Sequence, residues 1–339
     1  MILTCSQDRN AYVWTPPQKP GEEWSPQIVL LRFERAATCC AWSPSGSKFI
    51  VGGSEKSVMI CYYDTKNEFW VAKKINRHHS AILSLAWHPS GLLMGTSGCD
   101  CTAVLGAAVQ TKAGDSKDST LEVFGDIRDC ASGSTFHKET VNGAWVSSVS
   151  FSPSGLIMGL CSRDATVRFI KFIQVDEEQT QAKNEELKQK KEKKEEGEGK
   201  SDRSHPKVMQ TQTCNVLLRS LPLTCGLFID DETFVGAGFE PQPALFKLKD
   251  PEKFEWAFDH NLTMVETTQQ STTMSNAQSA MLKFQQRNKI GTTTEDTSAS
   301  SVKGHINSIT AMKIAKIAGG KPTHISTSGL DGKLLFWTL

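Results

Sequence analysis

Short apolar segments separated by turns recur along this chain. In each strong copy an aromatic residue ends an apolar segment and a turn with proline and glycine follows; the copies stand at Trp42, Trp87 and Phe151, with a weaker one at Phe228. An acid comes thirteen residues after each strong aromatic, as Glu55, Asp100 and Asp164. The segment between the two turns is small and apolar, and the segment after the acid alternates polar with large apolar residues. This pattern predicts strand, turn, strand, turn, strand.

A second spacing places a tryptophan six residues after an acid, at Asp8 and Trp14 and again at Asp331 and Trp337, where Gly304-His305 lies upstream. These are marks of WD-type blades, each with four short strands in roughly 40 residues. The predicted fold class is therefore all-β, a WD40-type β-propeller, as a single domain over residues 1–339.

The units are predicted near residues 36–75, 79–108, 144–175, 217–258 and 305–339, with half a unit at 1–14, which makes about five and a half blades. A propeller normally closes by pairing an N-terminal strand with the last blade, because an open ring leaves an unpaired edge. We therefore expect that the first blade and a half are absent from this sequence.

A histidine and an aspartate in such a blade are expected to bond to each other and hold a turn together, because a buried polar pair must be satisfied. We predict this structural role for His305 with Asp331, rather than catalysis. The tryptophans are expected to pack between strands. The residues assigned a structural role are Asp8, Trp14, Asp100, Asp164, His305, Asp331 and Trp337.

Three insertions interrupt the repeats. Residues 109–143 are polar and mixed, which predicts a long loop. Residues 176–203 contain 18 charged side chains in 28 positions, so this segment is predicted to be disordered or a solvated helix. Residues 261–303 have arms rich in Thr and Ser that predict flexible tethers.

The centre of the insertion 261–303 predicts a short amphipathic helix. Ser275 and Gln278 have the form of a capping box. One apolar stripe follows at helical spacing, formed by Ala277, Ala280, Met281 and Phe284, with Lys283, Arg287 and Lys289 around it. A helix this short is marginal in isolation. The residues leave two alternatives open: the helix folds back onto its own propeller, or it enters a groove on a partner.

Composition narrows the function classes. Lys and Arg number 38 against 37 Asp and Glu, which disfavours nucleic-acid binding through a basic surface. No apolar run is long enough for membrane insertion, and the first residues lack the features of a secretion signal. The ten cysteines are too sparse for a disulfide scaffold and indicate reduced thiols in the cytosol.

No cofactor, metal or catalytic site is predicted. Cys99 and Cys101 are separated by one residue and have no second pair at zinc-site spacing. The sequence contains no His-Glu-x-x-His helix, Gly-x-Ser-x-Gly elbow, Walker loop or Rossmann fingerprint. We therefore predict that the chain is not an enzyme.

Four stretches of the chain resemble, in order, blades of one known WD-repeat family: Thr4 to Trp14, Ile28 to Trp42, Ser57 to Trp70 and Ile82 to Pro89. The family is subunit 1 of the actin-related protein 2/3 complex, and the stretches are similar to its second to fourth blades. Met281 to Gln286 is similar to the family's protruding insert, whose Arg-Phe-Gln core reads Lys283-Phe284-Gln285 here. The charged segment 176–203 is longer than the family pattern.

The resemblance implies a seven-bladed propeller that acts as a non-catalytic scaffold subunit in the assembly that nucleates branched actin filaments. Its implied partners are the other subunits of the complex, the actin filament and activators of the WASP family, in the cytoplasm at the actin cytoskeleton. It also assigns partner contact to Met281, Leu282, Phe284, Gln285 and Arg287. The alternative is a WD-repeat scaffold or substrate adaptor of another cytosolic regulatory complex.

Overall fold

The computed structural model describes residues 1–19, 21–108, 123–124, 130, 132–173, 210–264 and 304–339. In this part of the chain, 23 strands form six antiparallel sheets, which we number as blades 1 to 6. Blade 1 contains β1 (Ile2–Cys5), β2 (Ala11–Thr15) and β3 (Ser25–Val29). Blade 2 contains β4 (Ala37–Trp42), β5 (Lys48–Gly53), β6 (Ser57–Asp64) and β7 (Phe69–Asn76). Blade 3 contains β8 (Ile82–Trp87), β9 (Leu93–Gly98), β10 (Thr102–Ala107) and β11 (Thr135–Thr140).

The remaining three blades follow the same order along the chain. Blade 4 contains β12 (Val146–Phe151), β13 (Ile157–Ser162), β14 (Thr166–Ile173) and β15 (Gln210–Leu217). Blade 5 contains β16 (Leu223–Phe228), β17 (Thr233–Gly238), β18 (Ala244–Asp250) and β19 (Glu255–Asn261). Blade 6 contains β20 (Thr263–Met264), β21 (Ile309–Ala318), β22 (Lys321–Gly329) and β23 (Leu334–Thr338), in the order β20-β23-β22-β21.

Consecutive blades pack face to face around five apolar clusters, one between each pair of neighbours. In β5, Phe49 and Val51 point towards blade 1, whereas Ile50 points towards blade 3. Successive side chains of a strand point to opposite faces of its sheet, so a strand buried on both faces is apolar throughout. The inner strands β4, β8, β12, β16 and β21 lie next to one another in chain order. This arrangement confirms the predicted all-β propeller class.

Blade 1 is more complete than the sequence predicted. Half a unit was expected at residues 1–14, and this is wrong because β3 adds a strand that pairs with β2. The segment was missed because Pro26 and its polar neighbours do not alternate with large apolar residues, as is common on an edge strand. The strands β1 to β3 occupy the second to fourth positions of a blade, since Asp8 lies between β1 and β2 as Asp100 lies between β9 and β10.

The outer strands of blades 3 and 4 were also missed. The range 109–143 was predicted to be a loop, which is wrong for Thr135–Thr140, since β11 pairs along β10 there. The outer strand β15 follows the charged insertion and pairs with β14 along its whole length. Every residue of both strands is exposed or half-buried, so the strands lack the apolar pattern that identifies an inner strand.

The two long insertions lie mainly outside the described residues. All of 176–203 does, and so does the insertion 261–303 from residue 265 onwards. Of the latter, Asn261 ends β19 and Thr263–Met264 form β20, paired with β23. Within the part of the chain that the structure describes, no helix has the length and hydropathy needed to span a bilayer.

Candidate functional site

A buried polar network joins the second and third strands of blade 6. His305 Nδ1 lies 3.0 Å from both carboxylate oxygens of Asp331, and His305 Nε2 lies 2.8 Å from Thr327 Oγ1. Trp337 Nε1 donates to Thr327 Oγ1 at 2.7 Å. The carboxylate of Asp331 therefore accepts from Nδ1 of His305, and the Thr327 hydroxyl accepts from Trp337 and bonds to Nε2 of the same imidazole. Every polar atom named here has a partner, which is the condition for burying such a network.

Asp331 is held in its turn by backbone donors as well. The amide of Ile306 donates to it at 3.0 Å and that of Lys333 at 3.1 Å. Burial alone would raise the pKa of this carboxyl, but the donors from Ile306, His305 and Lys333 outweigh it and lower the pKa to about 2. The network thus fixes the turn between β22 and β23.

Blade 3 contains an equivalent network that the sequence analysis assigned only in part. His78 Nδ1 lies 3.1 Å from Asp100 Oδ2, and His78 Nε2 lies 2.7 Å from Thr96 Oγ1. The amide of His79 also donates to Asp100 at 2.8 Å. Gly106 stands where blade 6 has its tryptophan. The sequence did contain a signal for this network, because a threonine lies four residues before the acid in both blades.

The histidine and the aspartate of blade 3 both have shifted pKa values. Burial lowers the pKa of His78 despite the attraction of Asp100, so the imidazole stays neutral. Burial alone would raise the pKa of Asp100, but hydrogen bonds from the His79 amide and from His78 outweigh it and lower the pKa below its ordinary value. The cavity beside His78 and Thr96 has a volume of about 10 Å³, the space of a single water.

In blades 2 and 4 a lysine or an arginine, in place of the histidine, holds the corresponding acid. In blade 4 Arg168 Nη2 lies 2.7 Å from Asp164 Oδ2, and Thr166 Oγ1 donates to the same carboxylate. In blade 2 Lys74 Nζ lies 2.9 Å from Glu55 Oε1, and the amide of Glu34 donates to the other oxygen. In each case the acid stabilises a turn instead of facing a cleft.

Blade 1 has part of the same pattern at the surface. Trp14 Nε1 donates to Thr4 Oγ1 at 2.9 Å, although Thr4 is exposed and Trp14 is half-buried. Asp8 accepts a hydrogen bond from the amide of Asn10 within its own turn. The structure therefore brings together the predicted pair His305 and Asp331. It places Asp8, Asp100 and Asp164 in separate but equivalent turns.

Comparison with known proteins finds WD repeats in the chain and a set of relatives that share one name. The WD domain, G-beta repeat model matches residues 30–61, 71–105 and 133–171. "Actin-related protein 2/3 complex subunit 1B" of Arabidopsis thaliana is 31% identical over 341 residues, covering 100% of this chain and 79% of the relative. The chain belongs to the subunit 1 family of the actin-related protein 2/3 complex. A Xenopus laevis relative, subunit 1A-A, is 31% identical over 99% of this chain and 78% of its own length, and the Schizosaccharomyces pombe subunit 1 is 29% identical over 100% and 82%.

The repeats of the chain are offset from its blades. The match 133–171 begins at the outer strand β11 of blade 3 and ends in β14 of blade 4. The match 71–105 likewise begins in β7 of blade 2 and ends in β10 of blade 3. One repeat therefore supplies the outer strand of one blade and three strands of the next, which ties neighbouring blades together covalently.

A surface groove lies between blades 4 and 5 and was not predicted. It has a volume of about 500 Å³ and is lined by apolar and polar side chains, among them Leu217, Leu223, Phe258, Arg219 and Glu240. Leu217 is 72% exposed and Phe258 is 47% exposed, so the groove presents apolar surface to solvent. Its residues come from β15, β16, β18 and β19 and from the loops between them, and no local sequence pattern brings them together.

The residues predicted to contact partners lie outside the described part of the chain. These are Met281, Leu282, Phe284, Gln285 and Arg287. Both ends of their insertion are described: Met264 ends β20 beside β23, and His305 lies in the blade 6 network. The insertion therefore leaves from and returns to blade 6. Among the described residues, no group of three His, Cys, Asp or Glu side chains is placed to hold a metal ion.

Proposed function

We propose that this chain is a non-catalytic WD-repeat subunit of the actin-related protein 2/3 complex and scaffolds the assembly that nucleates branched actin filaments. The observation that carries the proposal is the 31% identity to proteins named as subunit 1 of that complex, over the whole of this chain. The blade networks support a non-catalytic role, because their polar groups are satisfied by one another and hold turns. A rigid propeller offers several faces to which other subunits can bind at once.

The proposal includes a seven-bladed ring, the pattern of the family. It is supported by the outward faces of blades 1 and 6, which differ from those of the blades between them. In β23, Leu335 and Trp337 pack against blade 5, whereas the alternating Leu334 and Phe336 are 61% and 45% exposed. In β1, Leu3 packs against blade 2, whereas Ile2 is 51% exposed. A further blade that packs against both faces would bury these side chains, as happens on both faces of β5.

The insertion of blade 6 is proposed to contact partners outside the propeller. Met281, Leu282, Phe284, Gln285 and Arg287 are the proposed contacts, with Phe284 as the main anchor, because buried aromatic side chains dominate binding energy at interfaces. The proposed partners are the actin filament and activators of the WASP family, in the cytoplasm at the actin cytoskeleton. The departure of the insertion from the outer edge of blade 6, at Met264, supports this role, since that edge faces away from the inner strands.

Affinity purification of the tagged chain from its native cells tests membership of the complex. Mass spectrometry is expected to recover both actin-related proteins together with the companion subunits. Recovery of a different regulatory assembly without actin-related proteins would contradict the proposal and favour the alternative of an adaptor in another complex.

A reconstituted complex tests the insertion separately. Replacing Phe284 by Ala is expected to reduce the number of branches per filament length, since the main anchor is lost. Phe69→Ala is the matched control, because Phe69 is an exposed phenylalanine on the outer strand β7 of blade 2. Equal branching by the Phe284→Ala complex and the control would refute the proposed role of the insertion.

A further inference from the structure

One short segment of blade 5 holds the chain on both sides of the insertion of blade 6. The amide of Leu262 donates to the carbonyl oxygen of Pro243 at 2.8 Å, where the chain enters the insertion. The amide of His305 donates to the carbonyl oxygen of Pro241 at 3.0 Å, where the chain returns from it. The two ends of the insertion are therefore fixed close together on residues 241–243.

The same part of blade 5 forms one side of the groove between blades 4 and 5. Glu240 and Gln242 belong to it, and both line the groove. Asn261 lines the groove as well, and it stands three positions before Met264, the last described residue before the gap. Residues 265–303 of the insertion therefore begin and end at the rim of the groove.

The groove exposes apolar side chains that the described propeller leaves uncovered. Leu217 at the end of β15 and Phe258 on β19 are both exposed, and the buried side chains of Leu223 and Ala244 also line the groove. Its volume of about 500 Å³ is in the range of pockets that bury a ligand or a few anchoring side chains. Exposed apolar surface of this kind marks a site of interaction.

The groove also carries one charge of each sign. Glu240 accepts a hydrogen bond from a backbone amide at 3.2 Å, and Arg219 lies on the side of blade 4. Neither has an ion-pair partner among the residues that the structure describes. The insertion contains an opposite charge for each, because Arg287 follows its apolar stripe and Glu266 follows β20 by two positions.

We propose that this groove is the docking site of the apolar stripe of the insertion itself. Met281 and Phe284, which share one face at helical spacing, would cover Leu217 and Phe258. The twenty positions from Met264 to Phe284 span roughly 25 Å as a tether, which is enough to reach the groove. A tether fixed at the rim gives the stripe an effective concentration of about a millimolar, which favours it over an occupant from solution.

The docking regulates the insertion, and in this respect it rests on the proposed function. Met281 and Phe284 are also the side chains proposed to anchor the insertion to a partner, and one stripe cannot occupy both places. The groove therefore withholds the stripe from the filament and from activators until a partner competes for it. Docking itself is a property of this chain alone, so it is measured without any partner.

Photocross-linking of the purified full chain locates the stripe. With the photoreactive residue p-benzoylphenylalanine in place of Phe284, irradiation is expected to give intramolecular cross-links to residues that line the groove, mainly Leu217 and Phe258. The matched control carries the same residue in place of Phe69, an exposed phenylalanine of β7 in blade 2, and should give none there. Cross-links from position 284 that are spread over the propeller, or confined to another face, would overturn the proposal.

Limited trypsin digestion tests the groove from its other side. Leu217→Glu is expected to speed cleavage after Lys283 about threefold or more, because the stripe is released and its backbone becomes accessible. Leu30→Glu is the matched control, since Leu30 is a comparably exposed leucine in blade 1, and it should leave the rate unchanged. Equal rates in the wild type and both variants would mean that the groove does not hold the stripe.

The two proposals fail separately. If both measurements show docking while Phe284→Ala leaves branching unchanged, the groove holds the stripe and the partner role of the insertion is wrong. If Phe284→Ala reduces branching while neither measurement shows docking, the partner role stands and the docking is wrong.

Discussion

Trp337 Nε1 lies 2.7 Å from Thr327 Oγ1, and both side chains are fully buried in blade 6. Blade 1 repeats the pair at the surface, where Trp14 Nε1 lies 2.9 Å from Thr4 Oγ1. In both blades the tryptophan follows the acid of the turn by six residues and the threonine precedes it by four. The hydrogen bond is therefore the same in the two blades, and only its burial differs.

Replacing each tryptophan by phenylalanine separates burial from hydrogen bonding. Trp337→Phe is expected to lower the free energy of unfolding by about 2–3 kcal/mol, because it leaves a cavity and removes a buried donor from Thr327. Trp14→Phe is expected to cost less than about 1 kcal/mol, because water replaces its bond to Thr4. Urea denaturation of both variants checks this. Equal losses in the two variants would show that the buried network adds nothing beyond the bond itself.

Asp331→Asn is expected to destabilise blade 6 and to lower the urea midpoint of the protein. The carboxylate accepts from His305, Ile306 and Lys333, and an amide presents an N–H group to donors where an oxygen stood. The matched control is Asp8→Asn in the exposed turn of blade 1, where a loss below about 0.5 kcal/mol is expected. Urea unfolding at pH 7 measures both, and a loss at Asp8 as large as that at Asp331 would contradict the assignment.

The depressed pKa of His78 makes stability fall in mild acid. The unfolded chain takes up a proton at this histidine near its ordinary pKa of about 6.5, whereas the folded chain does so only at lower pH. The unfolded state therefore binds more protons below about pH 6.5, and the contribution of His78 to stability is lost as the pH falls towards its folded pKa.

The urea midpoint measured between pH 7.5 and pH 5 tests this dependence. His78→Asn, which cannot be protonated, should show a smaller fall than the wild type over that range. His260 is exposed, and its replacement by Asn should leave the fall unchanged. A wild-type slope retained in His78→Asn would mean that another group causes the loss.

The sequence predicted the features that depend on local spacing. The aromatic residue, the turn and the acid thirteen residues later placed Trp87 at the end of β8 and Asp100 in the next turn. The network of Asp100 with His78 was missed because the spacing is not constant between blades. Asp100 follows His78 by 22 positions, whereas Asp331 follows His305 by 26. Outer strands such as β11 were missed because their exposure leaves little apolar pattern.

Features made by contact between blades could not be predicted in this way. The groove between blades 4 and 5 takes its lining from several strands that lie apart in the sequence. Each side chain has an ordinary local environment in the sequence. The chemistry arises from the packing, which spacing along a single chain does not encode.

Gly46 and Gly155 occupy the same position in the repeated Ser-Pro-Ser-Gly turns, with φ of +68° and +77°. At Gly46 an added Cβ would meet nothing within 4 Å, so Gly46→Ala is expected to cost only the backbone strain, about 1 kcal/mol. At Gly155 the Cβ would overlap the imidazole of His88, which is fully buried and donates from Nε2 to the Gly155 carbonyl oxygen at 3.0 Å.

Gly155→Ala is therefore expected to cost about 3 kcal/mol or more, since the imidazole must move against its packed neighbours and lose this bond. Paired urea denaturation of Gly46→Ala and Gly155→Ala measures the difference. A gap below about 1 kcal/mol would mean that blades 3 and 4 separate slightly at this contact with little resistance. The packing contact between the two blades would then resist displacement less than the burial of His88 implies.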